Sequence, residues 1–320
     1  MHMRKVGYWI LSIFFIGVLI IGCKTQEVEH WKVTCPWAEN GVAARVNQKT
    51  ANMAEEVSRA ITLEAVAIKG DAKTVNQWVA QEDANSNALV FVGEGLFAIT
   101  PITNPDTLEF SYEDFVFVEN LYSSIFVMSA RKDLNLTSVM DVQMYMSKGP
   151  KVKVAVNGKA GSESFLTYAF FGSMSHLDEV ELVVCNSAAE AAEAVAEGTA
   201  DFAVSHQSQI LDAYESGKVN VICAFDGEDI AEGPFTGVEG VGKYGYPYFR
   251  NRCFIMAPKG VNTGKITQVK NMYHKLLEQE EIIDYYEEMM IEVDPMTEQE
   301  VVEELENVRN IVNGYRTFFE

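Results

Sequence analysis

Apolar positions along this chain recur in two rhythms that alternate. Trp31–Cys35 reads as a strand that stops at Pro36, and Val46, Thr50, Met53 and Val57 then repeat at the spacing of one helical face. A short strand at Ala65–Ile68 leads through Lys69-Gly70-Asp71 into a helix over Ala72–Gln81. Ala88–Val92 is a continuous apolar run ending at Gly93, the pattern of a strand covered on both faces of a parallel sheet.

The same rhythm restarts further on. Strands are predicted at Phe115–Val118, Ser124–Ser129 and Val152–Val156, with a helix between at Ser138–Met146. A helix carrying Phe165, Tyr168 and Ala169 follows, then a strand at Glu181–Cys185 and an Ala-rich helix at Ser187–Glu197 closed by Gly198. Asp201–Ser205 and Val219–Phe225 read as further strands. The last third reads as helical. Ile266, Val269, Met272, Leu276 and Leu277 share one face, Ile282–Met290 forms a second helix, and Thr297–Glu300 is a capping box opening a third with Val301, Leu305, Val308 and Val312 inward. Strand, loop and helix alternating twice predict an α/β protein of two similar domains, with a ligand crevice at the carboxyl ends of their strands.

The N-terminus sets the expected compartment. Arg4 and Lys5 precede an uncharged apolar run, Val6–Gly22, that ends at Gly22-Cys23 and gives way to Lys24-Thr25-Gln26-Glu27. This is the layout of a secretory signal, and the small residue before Cys23 resembles a bacterial lipobox, with Cys23 the lipid-bearing residue and 23–31 a tether. The alternative is an uncleaved membrane anchor, for which the run is at the lower limit of length. Either places the rest of the chain outside the cytoplasmic membrane, periplasmic or at the cell surface.

Charge and cysteine content narrow the partners. The formal net charge of −21 becomes more negative once Arg4 and Lys5 are removed. Nucleic acid is thereby excluded as a partner, and an anionic ligand must be held by local donors rather than by bulk attraction. Cys35, Cys185, Cys223 and Cys253 form no CxxC pair and read as buried free thiols. The five His residues have no metal-ligand spacing, so neither metal nor cofactor is expected. There is no HExxH, GxSxG, P-loop or GxGxxG motif, and the chain does not read as an enzyme.

Two strand-to-helix loops, Ala38–Ala44 and Asn157–Ser162, are built from glycine and small residues. Helix N-termini offer unpaired N–H donors and partial positive charge, and glycine lets a ligand approach them, so such loops suit a carboxylate. In order along the chain stand Pro36-Trp37-Ala38-Glu39-Asn40-Gly41, Phe110-Ser111-Tyr112-Glu113-Asp114-Phe115, Gly158-Lys159-Ala160-Gly161-Ser162, Gly198-Thr199-Ala200-Asp201 and Ala257-Pro258-Lys259-Gly260. This series resembles the solute receptors of tripartite tricarboxylate transporters, the TctC or Bug family. Asn40 interrupts the family's double glycine, and Ala43 and Ala44 stand where it has an acid.

The resemblance implies a type II periplasmic-binding-protein fold, two lobes each with a mixed sheet flanked by helices, plus C-terminal helices. One lobe would comprise 32–124 with 250–320 and the other 125–249. It implies a small carboxylate ligand, a membrane permease as partner, and a monomer tethered by its lipid. The expected ligand-binding residues are Trp37, Ala38, Glu39, Asn40, Gly41 and Ala44 in the first loop, and Gly158, Lys159, Ala160, Gly161, Ser162 and Ser164 in the second. Ser205 and its neighbour His206 are further candidate wall residues. Two other functions stay open at this point: a ligand sensor for a membrane kinase, and an extracytoplasmic hydrolase using Cys35 or Ser162.

Overall fold

A computed structural model describes residues 28–159 and 161–319; the apolar N-terminal run, Cys23 and the tether through Glu27, together with Ala160 and Glu320, lie outside the described residues. The elements in chain order are β1 (Glu29–Cys35), α1 (Val42–Val57), β2 (Ile61–Ala67), α2 (Ala72–Gln81), β3 (Ala88–Gly93), α3 (Glu94–Ala98), α4 (Thr100–Thr103) and β4 (Phe115–Ser124). Then come β5 (Phe126–Arg131), α5 (Val139–Met146), β6 (Val152–Asn157), α6 (Ser162–Ser173), β7 (Val180–Cys185), α7 (Ala188–Ala196), β8 (Phe202–His206), α8 (Gln207–Glu215) and β9 (Val219–Ala224). The chain ends with β10 (Asn251–Pro258), α9 (Thr263–Leu277), α10 (Glu280–Glu288) and α11 (Glu298–Gly314).

The strands form two five-stranded sheets, ordered β2-β1-β3-β10-β4 and β7-β6-β8-β5-β9. In the first, β1 runs parallel to β2 and β3 while β10 is antiparallel to β3 and β4. In the second, β6 runs parallel to β7 and β8 while β5 is antiparallel to β8 and β9. Each sheet is therefore mixed, and the antiparallel strand in each is the one by which the chain arrives from the other lobe. The first crossing is the single residue Ile125 between β4 and β5. The second lies between β9 and β10, and Asn251 pairs in register with Ser124, so the two crossings lie side by side.

Burial follows the helical periodicity. Val46, Thr50 and Met53 of α1 are buried, as are Ile266, Val269, Met272, Leu276 and Leu277 of α9, and these two helices share a core on one face of the first sheet. All six residues of β3 are buried, as its continuous apolar run predicts for a central strand. A second core holds Trp78, Phe97 and the inward face of α11 (Val301, Leu305, Val308, Val312), and continues into the second lobe through Phe165, Leu166 and Phe170. The C-terminal segment clamps both lobes, since Tyr315 and Phe319 pack on the Phe165 ring of α6 at centroid distances of 6.2 and 5.7 Å. The four cysteines beyond the tether are free and buried.

Several sequence expectations are corrected. The last third is not wholly helical: β10 lies between two strands of the first sheet. Its short apolar run pairs only with residues far away in sequence, so nothing local marks it as a strand. The helices α3, α4 and α8 were not foreseen, the first two because five and four residues are too few to show a period. In α8 only Ile210 is buried, so no apolar face is written in its sequence. Strand β4 continues through Ser124 instead of ending at Val118.

Candidate functional site

A cavity of about 560 Å³ opens between the two sheets. Helices α1 and α2 from the first lobe and α6, α7 and α8 from the second all present residues of their N-terminal turns or caps to it. Peptide dipoles so arranged make a region of positive potential inside a strongly acidic protein.

The two loops singled out in the sequence meet here. Trp37, Ala38, Asn40 and Gly41 line one wall, and Gly158, Lys159, Gly161 and Ser162 line the facing one. The N-caps of α1 and α6 are Gly41 and Gly161, and neither helix has a side-chain cap. No Ser or Asp at the cap consumes their first N–H groups, although in α6 the Glu163 N–H is taken up by its own carboxylate. Gly158 has φ +81, a conformation that favours glycine, and its carbonyl accepts a 2.6 Å hydrogen bond from Ser164 Oγ. Ser164 therefore braces the second loop from behind instead of facing the cavity. Glu39 is exposed and Ala44 is packed in the α1 core, so neither lines the cavity; Ser205 is fully buried and is also absent from its wall. Ala160 lies outside the described residues.

His206, at the end of β8, does line the cavity. Its Nδ1 lies 3.1 Å from Ser124 Oγ, which also accepts a 3.3 Å hydrogen bond from Asn251 Nδ2, so one hydroxyl links both chain crossings to the second lobe. The ring lies against Phe126 at 4.6 Å. Burial pushes its pKa down to about 4, so the imidazole is neutral at neutral pH.

Other wall residues escaped the sequence reading. The loop between β2 and α2 contributes Lys69, Gly70 and Asp71, and the start of α2 Ala72 and Lys73; α6 contributes Glu163; and the turn before α7 contributes Asn186 and the N-cap Ser187. The signal that could have found the first group is the same as for the other loops, a glycine in a strand-to-helix turn. Asp71 sits at φ 45, ψ −126 and occupies the N-cap of α2 without capping it. Glu163 is 6% exposed, and burial together with the charge of Asp71 holds its pKa up at about 7, although its own N–H and the Asn157 side chain favour the carboxylate. Desolvation also raises Asp71, against the pull of Lys69.

The wall behind the cavity is a charged cluster. Glu94, 1% exposed, lies between the cavity residues Gly93 and Gly95 and is pushed up to about 8 by burial, with Arg252 opposing. Arg252 reaches Glu94 at 3.7 Å, Asp294 at 3.1 Å and Glu304 at 2.8 Å, tying α3, β10 and α11 together. Among the described residues no group of three or more His, Cys, Asp or Glu side chains is arranged to hold a metal ion, and no helix is long and apolar enough to cross a membrane.

No protein-family model matches the sequence, and no curated protein matches it. Solved structures do. An R. palustris protein with adipate is 16% identical with a TM-score of 0.80, covering 93% of this chain and 98% of its own. MatC from Rhodopseudomonas palustris with bound malate is 17% identical with a TM-score of 0.76, covering 91% and 99%. The periplasmic binding protein BugD is 14% identical with a TM-score of 0.74, covering 91% and 96%. Across almost its whole described length this chain has the two-lobed, type II periplasmic-binding-protein fold of BugD and its structural neighbours, the fold that its sequence motifs led one to expect.

Proposed function

We propose that this protein is an extracytoplasmic solute receptor that captures a small carboxylate between its lobes and delivers it to a membrane permease. The observation that carries this reading is the pair of uncapped helix N-termini, α1 and α6, one from each lobe, opening on a single cavity of about 560 Å³. Such a site holds an anion by local donors and so works in a protein of net charge −21. The malate of MatC and the adipate of the other R. palustris protein make short dicarboxylates the first ligands to try.

In this reading the lobes, 32–124 with 250–320 and 125–249, close by bending at the paired crossings near Ser124 and Asn251. Cys23 carries a lipid that tethers a monomer outside the cytoplasmic membrane. A sensor feeding a membrane kinase would use the same cavity. Hydrolysis through Cys35 is disfavoured by chemistry: the thiol is buried and pushed up to about 12, so it is not a thiolate at neutral pH.

The test is a thermal-shift and calorimetric screen of the purified chain in detergent against dicarboxylates, tricarboxylates and amino acids. A ligand that binds only the folded state adds about 2.7 kcal/mol at one hundred times its Kd. A hit recovered chemically unchanged supports a receptor, a hit that is consumed supports a hydrolase, and no hit with any carboxylate removes the proposal. Cys23→Ser should release the protein from membranes or leave its signal uncut; normal processing would refute the anchor.

A further inference from the structure

The chain crossings near Ser124 and Asn251 are not the only tie between the lobes. Helix α11 belongs to the first lobe. It packs on α3 and α4, its Arg309 guanidinium donates to the Phe97 carbonyl at 3.0 and 3.2 Å, and its Glu304 meets Arg252 of β10 at 2.8 Å. The chain then runs through Tyr315 and a single helical turn, Arg316–Phe318, onto α6 of the second lobe. This makes a third tie, and side chains alone hold it.

The tie is aromatic. Phe319 stacks on Phe165 at 5.7 Å with the ring planes 15° apart, and meets Tyr168 edge-on at 5.4 Å; Tyr315 meets Phe165 edge-on at 6.2 Å. Phe318 lies over Gly172, where a Cβ would stand 2.6 Å from its Cδ2 and 2.9 Å from its Cζ. Gly172 sits inside α6 without a positive φ, so its backbone does not ask for glycine, whereas the Phe318 ring does. Tyr315, Phe318 and Phe319 are only half-buried, the state of a contact that can part without unravelling a core. Phe165 also joins this tie to the cavity. It stands in the first turn of α6, close behind the cavity residues Gly161 and Ser162, and Ser162 is where α6 meets Gly95 of the first lobe.

Resting on the lobe closure proposed above, we infer that the C-terminal segment Tyr315–Phe319 is a strap that holds α6, and with it the second glycine loop, in the arrangement where the lobes meet at Gly95 and Ser162. Opening about the two crossings carries α6 away from α11, so the rings must leave Phe165, Tyr168 and Gly172 and face water. Each aromatic contact in the strap therefore weights the balance toward the closed arrangement. A segment remote from the cavity thereby sets the cost of closing on a solute.

The test is a distance across the cleft, read by pulsed electron resonance between spin labels on Lys69→Cys and Lys159→Cys, residues that line the cavity from facing lobes. The full chain is used in detergent, free of ligand and carrying Cys23→Ser; Cys35, Cys185, Cys223 and Cys253 are buried. Gly172→Ala suits a helix better than glycine does, yet drives its methyl group into Phe318, and Phe319→Ala removes the stack on Phe165. Each should lengthen the distance, raising the open population about twofold to tenfold, the value of one aromatic pair. In a chain that also carries Phe318→Ala, Gly172→Ala should add little, because the ring it strikes is gone. Thermal melts control for folding. A distance unchanged from the parent protein while the melting temperature falls would mean that the rings only pack, and overturns the strap. Shorter distances overturn it too, as does an undiminished effect of Gly172→Ala in the absence of the Phe318 ring. No ligand is used, so the receptor reading stands or falls separately, in the ligand screen described above.

Discussion

Ser162 Oγ lies 2.8 Å from the point that a Cβ on Gly95 would occupy. One residue belongs to the first turn of α6 in the second lobe and the other to the first turn of α3 in the first lobe, so glycine at 95 lets the two helix starts meet over the cavity. Gly95→Val should therefore hold the lobes apart. Affinity for a bound carboxylate should fall about tenfold or more, while the melting temperature of the ligand-free protein changes little. Titration calorimetry and a thermal melt separate these; undiminished affinity would show that closure does not pass through this contact.

Gly161 differs from Gly95 in what surrounds it. A Cβ there would meet Glu163 Oε2 at 3.4 Å and the Asn157 carbonyl at 3.5 Å, both ordinary contacts, and its φ is negative. Gly161→Val should fold normally but fill the mouth of the second loop, weakening ligand binding by about a hundredfold. Circular dichroism checks the fold and calorimetry the binding. Unchanged affinity would sink the two-loop mode of carboxylate capture.

Glu163 also makes stability depend on pH. Its pKa rises from 4.5 to about 7 on folding, so the folded state holds the proton more tightly than the unfolded one. The cost of ionising it is absent below pH 4.5, grows as pH rises to about 7, and is constant above that. In size it is about 3 kcal/mol at most. Glu163→Gln removes this term, so the variant should gain on the parent protein between pH 5 and pH 8 in urea melts. His206, lowered from 6.5 to about 4, acts in the opposite sense, losing stability as pH falls through that window, and cancels in the comparison. A pH-independent difference between variant and parent would refute the assignment.

Arg252 is the one cation reaching Glu94, Asp294 and Glu304 together among the described ion pairs. Arg252→Met should cost about 3–5 kcal/mol, because Glu94 is left buried without compensation. The double variant with Glu94→Gln should recover part of that loss. Denaturant titrations of the two single variants and the double variant form the cycle that tests it, and additive losses would mean that the two side chains are not coupled.

The inward faces of α1, α9 and α11, the buried run of β3, the capping box at Thr297 and both glycine loops could be read from the chain itself. Each is a local matter: helical and strand periods, caps and glycine turns are set by residues a few positions apart. The antiparallel strand β10, the short helices α3 and α4, and the acids Asp71 and Glu163 could not be read in that way. Asp71 and Glu163 look in sequence like any solvated acids near a helix start, and line one cavity only because two lobes turn their helix N-termini toward one space. Glu39 shows the converse, an acid within one of the two glycine loops that is exposed and does not line the cavity. Local periodicity thus determined most of the strands and helices and their alternation in two similar runs. Only the tertiary structure decided which side chains share the cavity, because that depends on contacts between residues distant in sequence, for which the chain carries no repeating signal.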